Sequence, residues 1–226
     1  MGVDWYNSIA IRNGGYKNNS IFTIEGISAE TIYEQELVKL ISLHGSVLDA
    51  GCGHGDFTIK MARYAKSIIG FDNSNEMINI ANVLLKEVRI NNLQFVFAST
   101  KEELPFLDGE FDLIYDRRGP TSIINHSRIL RSGGTIFGIH SGALELVMER
   151  LTNNNFIDIE ITEYKDARIC FPNEIEFSKF IAGIPGNPDY TASEHKDELA
   201  MKIKEHTVNG RLEIEEYKYI WKAKKT

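Results

Sequence analysis

Residues 47–55, VLDAGCGHG, are an apolar run that ends in three alternating glycines, and this stretch decides the fold. A helical pattern follows, and a second apolar run, SIIGFD at 67–72, ends in the single acid Asp72. Glycine permits positive φ and close approach of the backbone to a ligand, and a glycine turn that opens a helix directs amide N–H groups toward that ligand. An acid at the tip of the next strand is suited to accept hydrogen bonds from a ribose diol. The stretch therefore predicts a site for an adenosine-containing cofactor.

The spacing of the glycines indicates which cofactor. They fall at Gly51, Gly53 and Gly55, whereas the dinucleotide fingerprint G-x-G-x-x-G needs its third glycine where this chain has Asp56. A carboxylate there would repel a pyrophosphate, so NAD and FAD fit poorly. A G-x-G-x-G turn with Asp49 just before it resembles the class I S-adenosylmethionine-dependent methyltransferases, whose cofactor has no phosphate and carries a sulfonium and an ammonium group. The resemblance implies that cofactor, with S-adenosylhomocysteine as its product.

The resemblance continues along residues 45–142. Ser74 is placed to cap the helix after the second strand, and the family pattern sets Met77 against the adenine, although Met77 could equally fill the core. Where this chain has Thr100, the family usually has an Asp. That Asp accepts a hydrogen bond from the adenine amino group, and the backbone N–H of the following residue donates to the adenine ring. A neutral hydroxyl would hold the adenine more weakly than a carboxylate, so this contact stays open.

The cofactor site implied by the resemblance draws on the turns that follow the strands. Its expected members are Asp49, Gly51, Cys52, Gly53, Gly55, Asp72, Asn73, Met77, Ser99, Thr100, Lys101 and Asp116.

Apolar runs and helical patterns alternate through His140, which predicts a parallel sheet with right-handed crossovers. Two further alternating segments lie at 156–161 and 211–221. With them, the resemblance implies a Rossmann-like α/β fold: a mostly parallel seven-stranded sheet with an antiparallel last strand and helices on both faces. We expect a single domain over 1–226, with an N-terminal cap and helix at 1–45, the cofactor-binding core at 46–142 and a C-terminal half at 143–226.

The connection 166–209 is too long to be structureless in a compact domain. Together with residues 1–27 it is expected to form a lid over an acceptor pocket; the alternative is a purely structural cover of the sheet edge. Tyr6 and Tyr16 stand in polar surroundings and are candidate substrate-binding residues of the lid.

The chemistry should lie beyond the carboxyl ends of the strands, where open α/β sheets bind ligands. His140 is the candidate general base because its ordinary pKa is near neutrality. The alternative is a histidine that caps the end of the strand with a satisfied hydrogen bond. Asp116 is the second candidate catalytic residue and could orient the acceptor or an arginine. Arg117 and Arg118 could together bind a carboxylate or phosphate of a small acceptor.

Composition narrows the function classes. The net charge of −7 argues against a nucleic-acid backbone as the main partner. No apolar run is long enough to span a membrane, and the first residues lack a signal peptide. Two cysteines are too few for a disulfide framework, so we expect a cytoplasmic protein. No His/Cys cluster has metal spacing, so we expect no metal.

These observations favour a methyltransferase that acts on a small molecule. The alternatives are an RNA or protein methyltransferase and a non-catalytic S-adenosylmethionine-binding module, which a weakened adenine contact at Thr100 would permit. The sequence leaves open the acceptor, the methylated atom, the use of a base and the oligomeric state.

Overall fold

The structure is a computed structural model that describes residues 3–15 and 19–226. Its helices are α1 (Val3–Asn13), α2 (Ala29–Leu43), α3 (Asp56–Ala62), α4 (Asn75–Glu87), α5 (Leu144–Asn153), α6 (Glu174–Ala182) and α7 (Lys196–His206). Its strands are β1 (Thr23–Glu25), β2 (Ser46–Ala50), β3 (Ser67–Asp72), β4 (Leu93–Phe97), β5 (Phe111–Arg117), β6 (Leu130–His140), β7 (Phe156–Phe171), β8 (Thr207–Val208) and β9 (Arg211–Lys225). Two 3₁₀ segments, Thr121–Ile129 and Ser193–His195, complete the described elements.

The strands form one sheet in the order β1-β7-β9-β6-β5-β2-β3-β4, with β8 beside β9. Strands β2 to β6 pair in parallel, and β9 pairs antiparallel with β6. The predicted mixed α/β fold with a mostly parallel central sheet and an antiparallel last strand is confirmed. The predicted number of seven strands is wrong, because the part of the chain that the structure describes has nine in this sheet.

The chain divides into two compact units. One comprises Ala29–Glu163 with Lys218–Thr226, and the other comprises the described residues up to Ser28 with Tyr164–Tyr217. The prediction of one domain over 1–226, and the prediction of a lid made by 1–27 and 166–209, both stay predictions.

The unit that holds β2 to β6 is built by alternation of buried strands and capped helices. Strand β2 is buried over its last four residues, and the apolar run that predicted β3 alternates between buried and partly exposed positions. Ser74 caps α4 as predicted, since its side chain accepts a hydrogen bond from the Met77 backbone N–H. Tyr33 of α2 stacks on Phe137 of β6 with ring centroids 4.6 Å apart, which seats α2 on the sheet.

The other unit has its own small core. Strand β1 pairs antiparallel with β7, and Phe171 forms a buried cluster with Phe177 and Ile181 of α6, against which residues of α7 pack. A cavity of about 580 Å³ within this unit is lined by Phe22, Phe171, Leu212 and other residues of the same elements.

Three local expectations change in the structure. Residues 1–27 contain the helix α1 and the short strand β1, where only a polar cap was expected. Strand β7 continues to Phe171 because its last residues pair with β1, so the long connection begins after that residue. Strand β6 begins at Leu130, so it includes Gly133 and Gly134 and is longer than the apolar run that follows these glycines.

Gly138 of β6 lies opposite Trp221 of β9. Trp221 is fully buried, and a Cβ at Gly138 would overlap its indole ring. We predict that Gly138→Ala lowers the free energy of unfolding by about 1–3 kcal/mol, the usual cost of overpacking. Urea denaturation followed by circular dichroism measures this.

The matched control is Gly142→Ala, because a Cβ at Gly142 meets no protein atom within 4 Å. Both substitutions restrict the unfolded chain equally. Equal urea midpoints for the two variants would contradict the assigned packing of β6 on β9.

Candidate functional site

The glycine turn between β2 and α3 uses its backbone amides internally. The N–H groups of Gly51 and Cys52 both donate to the Phe71 carbonyl at 2.9 Å, and that of Gly53 donates to Asp72 Oδ2 at 3.0 Å. The expectation that these amides point toward a ligand is therefore corrected for these three residues. These hydrogen bonds join the end of β2 to the end of β3. A ligand at the turn would therefore contact side chains rather than these three amide groups.

The glycines of the turn differ in their surroundings. A Cβ on Gly51 would lie 2.6 Å from Pro120 Cδ, and one on Gly55 would lie 2.9 Å from the Ala81 Cβ. Both positions are thus set by packing. Gly53 has φ +55°, and a Cβ there would meet no protein atom within 4 Å. The space above Gly53 is open and lies beside the Asp72 carboxylate.

Asp72 is held ready to accept further hydrogen bonds. Its Oδ1 accepts from the Ser74 N–H at 2.9 Å and its Oδ2 from Gly53 N–H. Burial raises the pKa of Asp72, while N–H donors from Ser74, Gly53 and Asn73 oppose the rise. Since the two carboxylate oxygens have four lone pairs between them and three N–H donors, one lone pair remains that can accept from a ribose hydroxyl.

Asp49 lies beneath the turn and is only 3% exposed. Its Oδ2 accepts from the Thr58 hydroxyl at 2.6 Å and from the Tyr115 hydroxyl at 2.7 Å. Burial raises the pKa of Asp49 to about 7, and the hydrogen bonds from Thr58 and Tyr115 limit the rise. A cation that binds near this carboxyl group would therefore stabilise its ionised form.

Asp116 and His140 meet at the ends of β5 and β6. Asp116 is fully buried, its Oδ1 accepts from the Gly119 N–H at 2.6 Å, and its Oδ2 lies 3.3 Å from His140 Nε2. Trp221 Nε1 lies 3.1 Å from His140 Nδ1. Because an indole nitrogen only donates, Nδ1 is the acceptor and the neutral ring carries its proton on Nε2.

The pKa of His140 reflects two opposing effects. Burial lowers the pKa, and the Asp116 carboxylate outweighs burial and raises it above the ordinary value. A ring that accepted a proton at Nδ1 would lose the Trp221 hydrogen bond. The arrangement suits His140 to hold Asp116 in place, and its role as a base stays a prediction.

Two buried oxygens at this edge have no hydrogen-bond partner among the described residues. They are the Tyr33 hydroxyl and Asp116 Oδ2. Burial raises the pKa of Tyr33 well above its ordinary value, and the charges of Asp116 and Asp49 raise it further. Tyr33 therefore stays a neutral donor near the two acids. Buried polar atoms in native structures are nearly always paired, so these two mark a place for a ligand or water.

The predicted adenine end is more fully occupied. The Thr100 hydroxyl lies 2.6 Å from Ser122 Oγ, and the Lys101 N–H donates to Ser99 Oγ at 3.2 Å. Met77 is 1% exposed, so it fills the core in this structure. If the Thr100 hydroxyl donates to Ser122, its lone pairs remain for an adenine amino group.

Cys52 and Asn73 flank the turn. Cys52 is 9% exposed, and burial raises its thiol pKa well above the ordinary value, so the thiol stays neutral. Asn73 contributes its backbone N–H to Asp72.

Arg117 and Arg118 are both paired with Glu30 of α2. Arg117 Nε donates to Glu30 Oε2 at 2.8 Å, and Arg118 Nε lies 3.4 Å from Glu30 Oε1. Lys218 Nζ also donates to Oε1 at 2.8 Å. Burial raises the pKa of Glu30, but the nearby Arg118, Arg117 and Lys218 outweigh burial and hold it at about 2. Three cations thus share one carboxylate at this edge.

Several of these residues were not predicted from sequence. Thr58, Tyr115, Tyr33, Glu30 and Lys218 reach the site from other elements. Thr58 could have been predicted from the sequence, because it is the second residue after Asp56 on the helix that follows the glycine turn. Glu30 and Lys218 could not, since 188 residues separate them.

The remaining predicted positions are less informative. Tyr6 lies on α1 and makes an edge-to-face contact with Trp5, with ring centroids 5.1 Å apart; Tyr16 lies outside the described residues. Among residues 3–15 and 19–226, no group of His, Cys, Asp and Glu is arranged to hold a metal ion. Within the same ranges, no helix has the length and apolar character needed to cross a membrane.

A family model described as a methyltransferase domain matches residues 41–168, which is more than half of the chain. The chain belongs to this methyltransferase family. The match covers the glycine turn, Asp72, Asp116 and His140.

Similar proteins agree with this assignment. The chain is 32% identical over 111 residues to the ubiquinone/menaquinone biosynthesis C-methyltransferase UbiE of Geobacter sp. strain M21. The aligned residues cover 44% of the chain and 47% of that protein. It is 37% identical over 100 residues to the uncharacterized methyltransferase YcgJ of Bacillus subtilis strain 168, covering 43% of the chain and 39% of that protein. The chain thus spans less than half the length of each of these two relatives.

A solved structure of a functionally unknown protein from Deinococcus radiodurans R1 has the same fold. It superposes with a TM-score of 0.72 at 20% identity, covering 99% of this chain and all of that one. At this identity the likeness concerns the fold alone.

The residues at this sheet edge fit S-adenosylmethionine. Asp49, Asp72 and Asp116 stand at the ends of adjacent parallel strands β2, β3 and β5, and Asp116 Oδ2 and Tyr33 lack partners among the described residues. Three carboxylates favour a cationic ligand and disfavour a pyrophosphate. Open space at Gly53 leaves room beside the expected ribose-binding acid.

The raised pKa of Asp49 makes stability depend on pH. Between its ordinary value of 3.8 and its folded value of about 7, the folded chain keeps a proton that the unfolded chain has lost. The contribution of Asp49 to the free energy of unfolding therefore falls as pH rises through this window, by up to about 4 kcal/mol. We predict that the stability of the wild type relative to Asp49→Asn decreases over this range, measured by urea denaturation at several pH values.

Asp56→Asn provides a control of opposite sign. A hydrogen bond with His54 lowers the pKa of Asp56 despite partial burial, so its stabilising contribution is present above the ordinary pKa and is lost as pH falls. The wild type should gain stability relative to this variant as pH rises. A pH-independent difference between wild type and Asp49→Asn would contradict the buried position of Asp49.

Proposed function

We propose that this protein transfers the methyl group of S-adenosylmethionine to a small-molecule acceptor. The observation that carries the proposal is the group of three carboxylates, Asp49, Asp72 and Asp116, around the open glycine turn. Such a site is matched to a ligand that carries positive charge and a ribose and has no phosphate.

The residues have distinct tasks in this proposal. Asp72 accepts hydrogen bonds from the ribose hydroxyls, and Gly53 leaves the space that the ligand needs. Thr100 is the acceptor for the adenine amino group and would hold it more weakly than an acid. Asp49 and Asp116 offer negative charge to the cationic part of the ligand. Tyr33 supplies a buried hydroxyl donor close to both acids.

The bound cofactor brings the reactive methyl group, and the protein must align the acceptor with it and exclude water. Asp116 is positioned for alignment, because the Gly119 N–H binds its Oδ1 and His140 lies beside its Oδ2 at 3.3 Å. A general base is needed only when the acceptor must lose a proton. His140 could serve as one by giving up its contact with Trp221.

A small-molecule acceptor is favoured by charge and by similarity. The net charge of −7 opposes binding to an RNA backbone, and the Geobacter relative is named as an enzyme of ubiquinone/menaquinone biosynthesis. An RNA or protein acceptor, and binding without catalysis, are outcomes of the tests below.

The role of Gly53 can be isolated with an unusually close control. Gly53→Ala adds a methyl group to the open space beside Asp72, and we predict that S-adenosylhomocysteine binds about tenfold more weakly, which equals about 1.4 kcal/mol of steric strain. Isothermal titration calorimetry measures the affinity.

Gly133→Ala is the control because Gly133 also has positive φ, +73°, and equally open surroundings. It lies near the amino end of β6, at the opposite end of that strand from His140. Both substitutions incur backbone strain, but only Gly53→Ala should weaken binding. Equal affinities for the two variants would contradict the location of the cofactor.

The class of acceptor is tested with S-adenosylmethionine that carries an isotopic methyl label. Protein is incubated with the label and a cell extract, and the products are separated into small molecules, RNA and protein. We predict label among the small molecules, with none transferred by heat-denatured protein. Label in RNA or protein would contradict the small-molecule acceptor. Binding of S-adenosylhomocysteine without any transfer would contradict catalysis.

A further inference from the structure

The loop after β5 presents an arginine that its neighbours do not use fully. Arg118 makes one ion-pair contact, from Nε to Glu30 Oε1 at 3.4 Å, and its side chain is 43% exposed. Its terminal NH₂ groups make no hydrogen bond within residues 3–15 and 19–226. These groups form the fork that matches a carboxylate or phosphate.

Arg117 is engaged differently. Its Nε donates to Glu30 at 2.8 Å, and its guanidinium carbon lies 4.3 Å from the centre of the Phe57 ring. The negative charge of Asp56 is one of those that raise the pKa of Arg117. Arg117 therefore fixes the position of Glu30 and is the less available member of the pair.

Lys218 adds a second cation beside Arg118. Both contact the same oxygen, Oε1 of Glu30, and the Lys218 side chain is 15% exposed. Glu30 thus holds the two positive groups side by side. Neighbouring cations held in this way are stabilised by a further anion.

The backbone of Arg118 is also unusual. It has φ +62°, a region that non-glycine residues seldom adopt, and its N–H donates to the Ile139 carbonyl at 3.0 Å. This bond anchors the loop to the carboxyl end of β6, next to His140. The cluster therefore lies at the sheet edge where the acceptor is expected.

We propose that Arg118 and Lys218, held by Glu30, bind an anionic oxygen group, a carboxylate or phosphate, of the methyl acceptor. This inference rests on the proposed function, since it names the chemical class of the acceptor of that site.

The experiment uses inorganic phosphate and acetate as probes and the full-length protein saturated with S-adenosylhomocysteine. Titrations are followed by the NMR signals of the arginine Nε–H groups and the backbone amides. We expect saturable shifts at Arg118 and next to Lys218, with either probe or both. A response to phosphate alone indicates a phosphorylated acceptor, and a response to acetate indicates a carboxylate.

Two variants and a control test the residues. Arg118→Gly removes the fork and suits the positive φ, and Lys218→Gln removes the second cation; each should weaken probe binding by about tenfold or more. Arg89→Gln removes an exposed arginine on the connection between α4 and β4 and should leave binding unchanged.

Three results would overturn the inference: no shift with either probe, unchanged binding in Arg118→Gly, or probe binding only in the absence of S-adenosylhomocysteine. The last would assign the cluster to the carboxylate of the cofactor itself. Failure of the proposed function is recognised separately, because calorimetry would then detect no binding of S-adenosylhomocysteine to the wild type.

Discussion

The site depends on the close approach of two backbone segments, the glycine turn after β2 and the loop after β5. A Cβ on Gly51 would lie 2.9 Å from Gly119 Cα, and a Cβ on Gly119 would lie 2.7 Å from Asp116 Oδ1. Side chains at these positions would push the ends of β2 and β5 apart. Because both are glycine, Gly119 N–H reaches Asp116 and the acids of neighbouring strands stand together.

This packing determines how the protein can recognise a ligand. The turn amides of Gly51, Cys52 and Gly53 bind Phe71 and Asp72, so they are not an anion site of the kind that phosphate-binding loops provide. In the proposed site, recognition then falls to carboxylates and to open space, which suit a cation and a diol. The same geometry that closes the strand ends disfavours a pyrophosphate, as the glycine spacing does.

The sequence predicts most of the sheet because buried parallel strands need continuous apolar runs, and β2, β3 and β5 have them. It also locates the acids, since each directly ends or nearly ends such a run. It does not predict β1 or β8, which are only three and two residues long, or the extension of β7, whose last half contains charged residues and is defined by its pairing with β1.

The site was predicted less completely than the fold, for a physical reason. Local patterns identify Arg117 and Arg118 but give no sign that Glu30 and Lys218 hold them, because that ion-pair cluster joins elements distant in sequence. Likewise, His140 was a sound candidate base by its ordinary pKa, yet its ring environment depends on Trp221, which lies 81 residues away. Charge arrangement is a tertiary property, whereas strand and turn signals are local.

Strain and missing hydrogen bonds gather at the same sheet edge as the proposed ligands. Tyr33 and Asp116 each leave a buried oxygen without a hydrogen bond among the described residues, and Arg118 keeps an uncommon φ of +62°. Each feature lowers stability, and such features persist mainly where a ligand compensates for them. A ligand that pairs these atoms gains affinity from interactions the free protein lacks, so the edge is less stable alone than when occupied.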